Sequence, residues 1–198
     1  SSIKLATSYD KFPTEAENET VNKRTIRKME RLIENHKNTE EKNQSNAIGK
    51  CHEALTYYYF LIYFPNVLQV QHDECVTQLQ EYYHIVKPDV LQRLYESTST
   101  IIPAIKEKLY EKYIDYEIES IELVPGSYIK NRLDTGDLKL TLKVNGNYEI
   151  ESISLKAVAR KTKTGTSLTT KNPGIGTILG PTFFDIGDLN PIVAIVKE

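Results

Sequence analysis

Residues 14–38 are polar except for a thin apolar stripe at Val21, Ile26, Met29, Leu32 and Ile33. Apolar positions three, four and seven apart predict an amphipathic helix with a narrow buried face. The polar stretch 38–46 reads as a linker. Ser45 or Asn46 is suited to cap a second helix, which should stop at Phe64-Pro65. Its run Ala54-Leu55-Thr56-Tyr57-Tyr58-Tyr59-Phe60-Leu61-Ile62 is apolar almost all round, so this helix should be central and buried. Helical patterns continue over residues 76–85, 89–97 and 101–113. Pro88 and Pro103 fit the first turns of the last two. The many tyrosines in these segments, Tyr57, Tyr58 and Tyr59 foremost, are predicted to pack with their hydroxyl tips at the rim, not to stack on bases.

After Tyr113 the period changes from helical to alternating. Residues 116–124 read as a strand, closed by the turn Pro125-Gly126. From Asp137, Leu138, Leu140, Leu142 and Val144 fall on one face, and Asp137, Lys139, Thr141 and Lys143 on the other. Asn145-Gly146 is a strong hairpin signal, and residues 148–158 read as the returning strand. That strand changes phase, with apolar Tyr148 and Ile150 at even positions but Ile153, Leu155 and Ala157 at odd ones. A bulge at Glu151-Ser152 restores one apolar face. It sets Leu140 against Ile153, Leu138 against Leu155 and Asp137 opposite Lys156. A two-residue loop without a bulge instead pairs Asp137 with Ser154, beside Lys156. Both registers bring a carboxylate and an ammonium to the open end of the hairpin. An ordinary cross-strand ion pair would look the same.

A helical first half followed by a mixed sheet packed on helices makes the expected class α/β, in the α+β sense. Residues 1–44 are expected to be a helical segment and linker, and residues 45–198 an α/β domain. The strand-like run 192–198 at the end leaves recognition elements to be found beyond it. Composition supports a soluble globular chain, with 39% hydrophobic and 26% charged residues among 198. The longest apolar run, residues 57–64, is too short for a bilayer, and no segment reads as a signal peptide. Two cysteines, Cys51 and Cys75, suggest reduced thiols in a cytoplasm more than a disulfide framework. The stretch His72-Asp73-Glu74-Cys75 has no second ligand pair at zinc-finger spacing. A net charge of −2 does not point to nucleic acid. The charge is uneven, however. Residues 127–181 hold nine cations against four anions, a surplus of five, and such a basic face binds phosphate whatever the total.

Three short motifs then carry a resemblance. Gly136-Asp137 opens the first hairpin strand, Ser154-Leu155-Lys156 lies on the second, and Gly49-Lys50-Cys51-His52-Glu53-Ala54-Leu55 puts a lone acid at the head of the apolar helix. This order is similar to the PD-(D/E)xK nuclease superfamily, and within it to type II restriction endonucleases. The resemblance implies a restriction-endonuclease-like core and a Mg2+-dependent endonuclease acting on double-stranded DNA in the cytoplasm. A palindromic target would imply a homodimer.

On this resemblance Asp137, with Glu53 or Glu151, holds the metal, and Lys156 serves the attacking water or the developing charge. Ser154 stands where the family usually has Asp or Glu. Its hydroxyl is suited to hydrogen-bond a water, with the missing acid coming from Glu151 or Glu53. Arg160, Lys161, Lys163 and Lys171 lie in what reads as a basic, hydroxyl-rich loop that grips DNA phosphates. That segment lacks the Lys-Ser/Thr ending of a P-loop. The competing reading is a catalytically inactive nucleic-acid- or protein-binding module with the same fold.

Overall fold

The structure, a computed structural model, describes residues 13–37, 44–124, 137–162, 165–172 and 182–185, with side chains described at 13–37, 46–124 and 137–155. Helix α1 (Glu15–Glu34) starts at a capping box. The Thr14 hydroxyl accepts the Glu17 N–H, and the Glu17 carboxylate accepts the Thr14 N–H. Its buried face is Asn22, Thr25 and Met29. Asn22 donates to the carbonyls of Pro65 and Val67, which ties α1 to the chain leaving the next helix.

Helix α2 (Gln44–Tyr63) starts before either predicted cap, so Ser45 and Asn46 both lie within its first turn. It is the central element, as its all-round apolar pattern requires. Ala54, Leu55, Tyr57, Tyr58, Phe60 and Leu61 are fully buried, and each large side chain contributes about 1.5–3 kcal/mol of transfer free energy. The tyrosines pack as predicted and place their hydroxyls on partners. Tyr57 donates to Gln69, Tyr58 to Glu30, and Tyr59 to the Tyr95 carbonyl. Around α2 stand α3 (Glu74–Tyr82), a 3-10 turn (Tyr83–Ile85), α4 (Pro88–Thr98) and α5 (Ile101–Lys112). Pro88 is at the first position of α4 and Pro103 in the first turn of α5. Among the described residues no helix is long and apolar enough to cross a membrane. Cys51 and Cys75 are free and buried, and burial pushes both thiols up.

The main sheet has the order β1 (Leu68–Gln69), β2 (Glu117–Leu123), β3 (Leu138–Val144) and β4 (Asn147–Ile153). The β1–β2 pairing is parallel and the others antiparallel, so the sheet is mixed. Leu138, Leu140, Leu142, Ile121, Leu123 and Ile153 join the helices in one core, to which α1 adds Met29. This is the α+β arrangement expected.

Three details of the second half differ from expectation. The β3–β4 hairpin has no bulge at Glu151-Ser152. It takes the simple register, with Leu138 opposite Ile153 and Leu140 opposite Glu151. Asn145 and Gly146 both have positive φ, 51° and 80°, which is the two-residue turn that Asn-Gly favours and which fixes that register. Tyr148 and Ile150 are consequently exposed on the far face, while Glu151 turns inward and is buried. The returning strand also breaks in two, with β4 ending at Ile153 and β5 (Lys156–Thr162) starting a second sheet with β6 (Gly165–Asn172) and β7 (Thr182–Asp185). Finally, most of the basic segment predicted as a loop is the β5–β6 hairpin itself. A Thr- and Ser-rich composition reads as polar loop, yet β-branched threonine suits a strand as well. The strand-like run 192–198 lies outside the described residues.

Candidate active site

The open end of the β3–β4 hairpin is built by backbone hydrogen bonds around Asp137. Its N–H donates to the Ile153 carbonyl at 2.7 Å, and its carbonyl accepts the Val124 N–H at 2.9 Å. Asp137 is therefore held between β2 and β4, just before β3. One step beyond the last ladder pair, the register brings it to Ser154. The Leu155 N–H donates to Asp137 Oδ2 at 2.7 Å. A backbone donor at this distance fixes the orientation of the carboxyl. Lys156, the next residue, is the first of β5. The break between β4 and β5 thus falls at the Ser154-Leu155-Lys156 motif, and the Asp137 side chain bridges it.

Helix α2 brings the second acid. Glu53 lies midway along α2, not at its head, immediately before the apolar run, and is only 7% exposed. Its carboxyl is hydrogen-bonded to that of Asp137. Burial, and after it the charge of Asp137, push the Glu53 carboxyl up from 4.5 to about 7, against the opposing pull of Lys50 and Gln78. Lys50 Nζ lies 3.5 Å from Glu53 Oε2, from the preceding turn of the same helix. Gln78 of α3 donates to Glu53 Oε2 at 2.8 Å. Two carboxyl groups pressed into sharing a proton in a buried site are a costly arrangement. A hard divalent cation fits such an all-oxygen pair and removes its repulsion. Among the described residues no three His, Cys, Asp or Glu side chains converge. Two carboxylates match Mg2+, which keeps several of its waters.

Glu151 lies elsewhere. It is on the inward face, opposite Leu140, and is engaged by the Lys112 ammonium and the Tyr113 hydroxyl. Sequence order put it near Ser154, but the unbulged register turns it inward to Lys112 and Tyr113. The basic segment divides by register. Lys156 and Lys171 are directly opposite, with Arg160 and Ser167 a further pair on the same face. Lys161, paired with Thr166, falls on the other face with Ala157 and Ala159. Lys163 lies outside the described residues.

Lys50 and Gln78 had no assigned role in the sequence. The signal for Lys50 was present, since it precedes Glu53 by three residues on one helix. Gln78 had none, because only the packing of α3 on α2 brings it to Glu53.

The chain is 55% identical over 197 residues to the type II restriction enzyme BsuRI of Bacillus subtilis. The match covers 100% of this chain and 34% of the relative, so the chain spans about a third of the length of the protein it matches. No family model and no solved structure matches it.

Proposed function

We propose that this chain is the catalytic part of a Mg2+-dependent DNA endonuclease of the type II restriction kind, with an active site of the PD-(D/E)xK form. The observation that carries this reading is the Glu53–Asp137 carboxyl pair at the broken end of the β3–β4 hairpin, one residue from Lys156. Similarity along the whole chain to a type II restriction enzyme supports it.

Asp137 and Glu53 would hold the metal. Bound Mg2+ lowers the pKa of a water and offsets the negative charge that builds on a phosphate during hydrolysis. Asp137 is oriented by the Leu155 N–H. Burial and the Asp137 charge raise the Glu53 carboxyl to about 7, so a cation that joins the pair readily displaces its proton. Lys156 orients the attacking water or stabilises the developing charge, and the Ser154 hydroxyl hydrogen-bonds a water at the site. Lys171 and Arg160, on the Lys156 face of the second sheet, grip phosphates of double-stranded DNA, with Lys161 and Lys163 adding charge farther out. Glu151 is left a structural acid. On a palindromic duplex the chain acts as a homodimer, and its two buried thiols suit a reducing cytoplasm.

The test is incubation of supercoiled plasmid with the purified protein, with Mg2+ or with EDTA. Nicked or linear product only with Mg2+ is expected. Equal cleavage in EDTA would overturn the metal mechanism. Plasmid bound but left uncut with Mg2+ would favour an inactive DNA-binding module, to which the serine at position 154 also points.

A further inference from the structure

We infer that Gln78 is a positioning residue, whose side-chain amide fixes the Glu53 carboxyl in the orientation that meets Asp137. This rests on the metal-site reading above and adds a residue from a third element to it. The Gln78 Nε2 group donates twice, to Glu53 Oε2 at 2.8 Å and to the Lys50 carbonyl oxygen at 2.9 Å. An amide nitrogen has two hydrogens, so both are used. One anchors to the backbone of α2, and the other to a carboxylate on the same helix one turn later. The amide is thereby referenced to the helix that carries the acid. Its own helix is fixed as well, because the neighbouring Cys75, Val76 and Leu79 are buried against the same core.

The chemistry suits the task. The like charge of Asp137 works against holding the Glu53 carboxylate beside it. Lys50 pulls from the preceding turn at a longer 3.5 Å. A cation at position 78 would compete with a metal ion for the carboxylate. A neutral donor holds one oxygen, leaves the other for the site, and adds no further positive charge beside that of Lys50. Partners of this kind, one step removed from a metal, commonly change affinity by roughly 10- to 100-fold when lost.

The experiment titrates the protein with Mn2+, in the absence of DNA, and reads free Mn2+ by electron paramagnetic resonance. The variants are Gln78→Met, which keeps side-chain length and loses the donor, Glu53→Gln, the double variant, and Asp137→Asn. Gln78→Met should weaken Mn2+ binding by about 10-fold or more while melting within a few degrees of wild type. Gln78→Leu carries the same test if the methionine variant melts early. On the Glu53→Gln background, losing Gln78 should change nothing further, because the amide acts through that carboxylate. Wild-type affinity in Gln78→Met, or full additivity with Glu53→Gln, would overturn the role of Gln78. Should Asp137→Asn leave Mn2+ binding unchanged, the metal-site reading itself fails, and the role of Gln78 with it. Loss on Asp137→Asn with no effect of Gln78→Met rejects the positioning role alone.

Discussion

Two buried glutamates show what separates a structural acid from a reactive one. Glu151 and Glu53 are 3% and 7% exposed, and from sequence either could serve the same site. Glu151 meets an ammonium and a phenol, from Lys112 and Tyr113. Its charge is neutralised on the spot, and nothing is left to recruit a ligand. Glu53 meets another carboxylate. Its burial and the charge of Asp137 raise its proton affinity, which Lys50 and Gln78 offset only in part. Burial alone does not mark a functional acid. What the acid faces does: an ammonium and a phenol at Glu151, a second carboxyl at Glu53.

The largest effects should come at the Glu53 side of this contrast. Asp137→Asn and Lys156→Ala are each expected to reduce single-turnover DNA cleavage by about 1000-fold or more, the scale of losing a principal electrostatic group. Asn is the cleaner change at 137, because its carbonyl still accepts from the Leu155 N–H and the hairpin end is kept. Asp137→Asn should also weaken Mg2+ binding, whereas Lys156→Ala should spare it. Cleavage near wild-type rates in either folded variant would remove that residue from the mechanism.

At the other glutamate the effect should be on stability. Glu151→Ala leaves a half-buried ammonium and a phenol without their acceptor, at a cost of about 2–3 kcal/mol. For a chain of this size that lowers the melting temperature by roughly 4–12 °C. Metal binding per folded molecule should not change. An unchanged melting temperature with weakened Mn2+ binding would reverse the two assignments.

A smaller effect is the pH dependence of the metal-free protein. Glu53 has its folded pKa raised from 4.5 to about 7. Its contribution is full below 4.5 and is lost as pH rises to about 7. His52, its neighbour in sequence, behaves oppositely. Burial pushes it from 6.5 down to about 3. Its Nδ1 meets the Thr98 hydroxyl, and among the described residues its Nε2 has no partner. Its contribution is present above 6.5 and is lost as pH falls towards 3. Between pH 4.5 and 6.5 the two slopes oppose each other. Melting curves across this window should rise with pH in Glu53→Gln and be flatter in wild type. Identical profiles would contradict the raised carboxyl.

The smallest expected effect concerns the second sheet. Lys171 is paired with Lys156, and Lys161 is on the opposite face. Lys171→Ala should therefore slow cleavage more than Lys161→Ala, by about 10-fold, while both reduce the salt slope of DNA binding. Equal effects on cleavage would mean that only net charge matters there.

The helices were legible because their periods are long and their apolar stripes continuous. The hairpin was legible from Asn145-Gly146, and the approach of Asp137 to the Ser154–Lys156 motif followed in either register. The bulge was misplaced for a physical reason. Both strands beside β3 change apolar phase, and sequence treats them alike. In β2 the structure inserts the bulge, at Glu119, which keeps Ile118 opposite Leu142 and Ile121 opposite Leu140. In β4 it keeps the register, exposes Ile150 and buries Glu151 instead. The acid can take that place because Lys112 and Tyr113 come to it from the end of α5, a tertiary contact that no local pattern records. Gln78 was invisible for the same reason, and Glu53 was found only through the resemblance of its helix.

The account stands most directly on a side-by-side measurement of Glu53→Gln and Glu151→Gln, with single-turnover plasmid cleavage followed across Mg2+ concentration and melting recorded for both. The two substitutions remove the same charge from two equally buried positions. The account predicts that Glu53→Gln melts at or above the wild-type temperature and loses Mg2+-dependent cleavage at every concentration, while Glu151→Gln melts lower and cleaves at the wild-type rate once folded. Full cleavage by a folded Glu53→Gln protein at wild-type Mg2+ would contradict it.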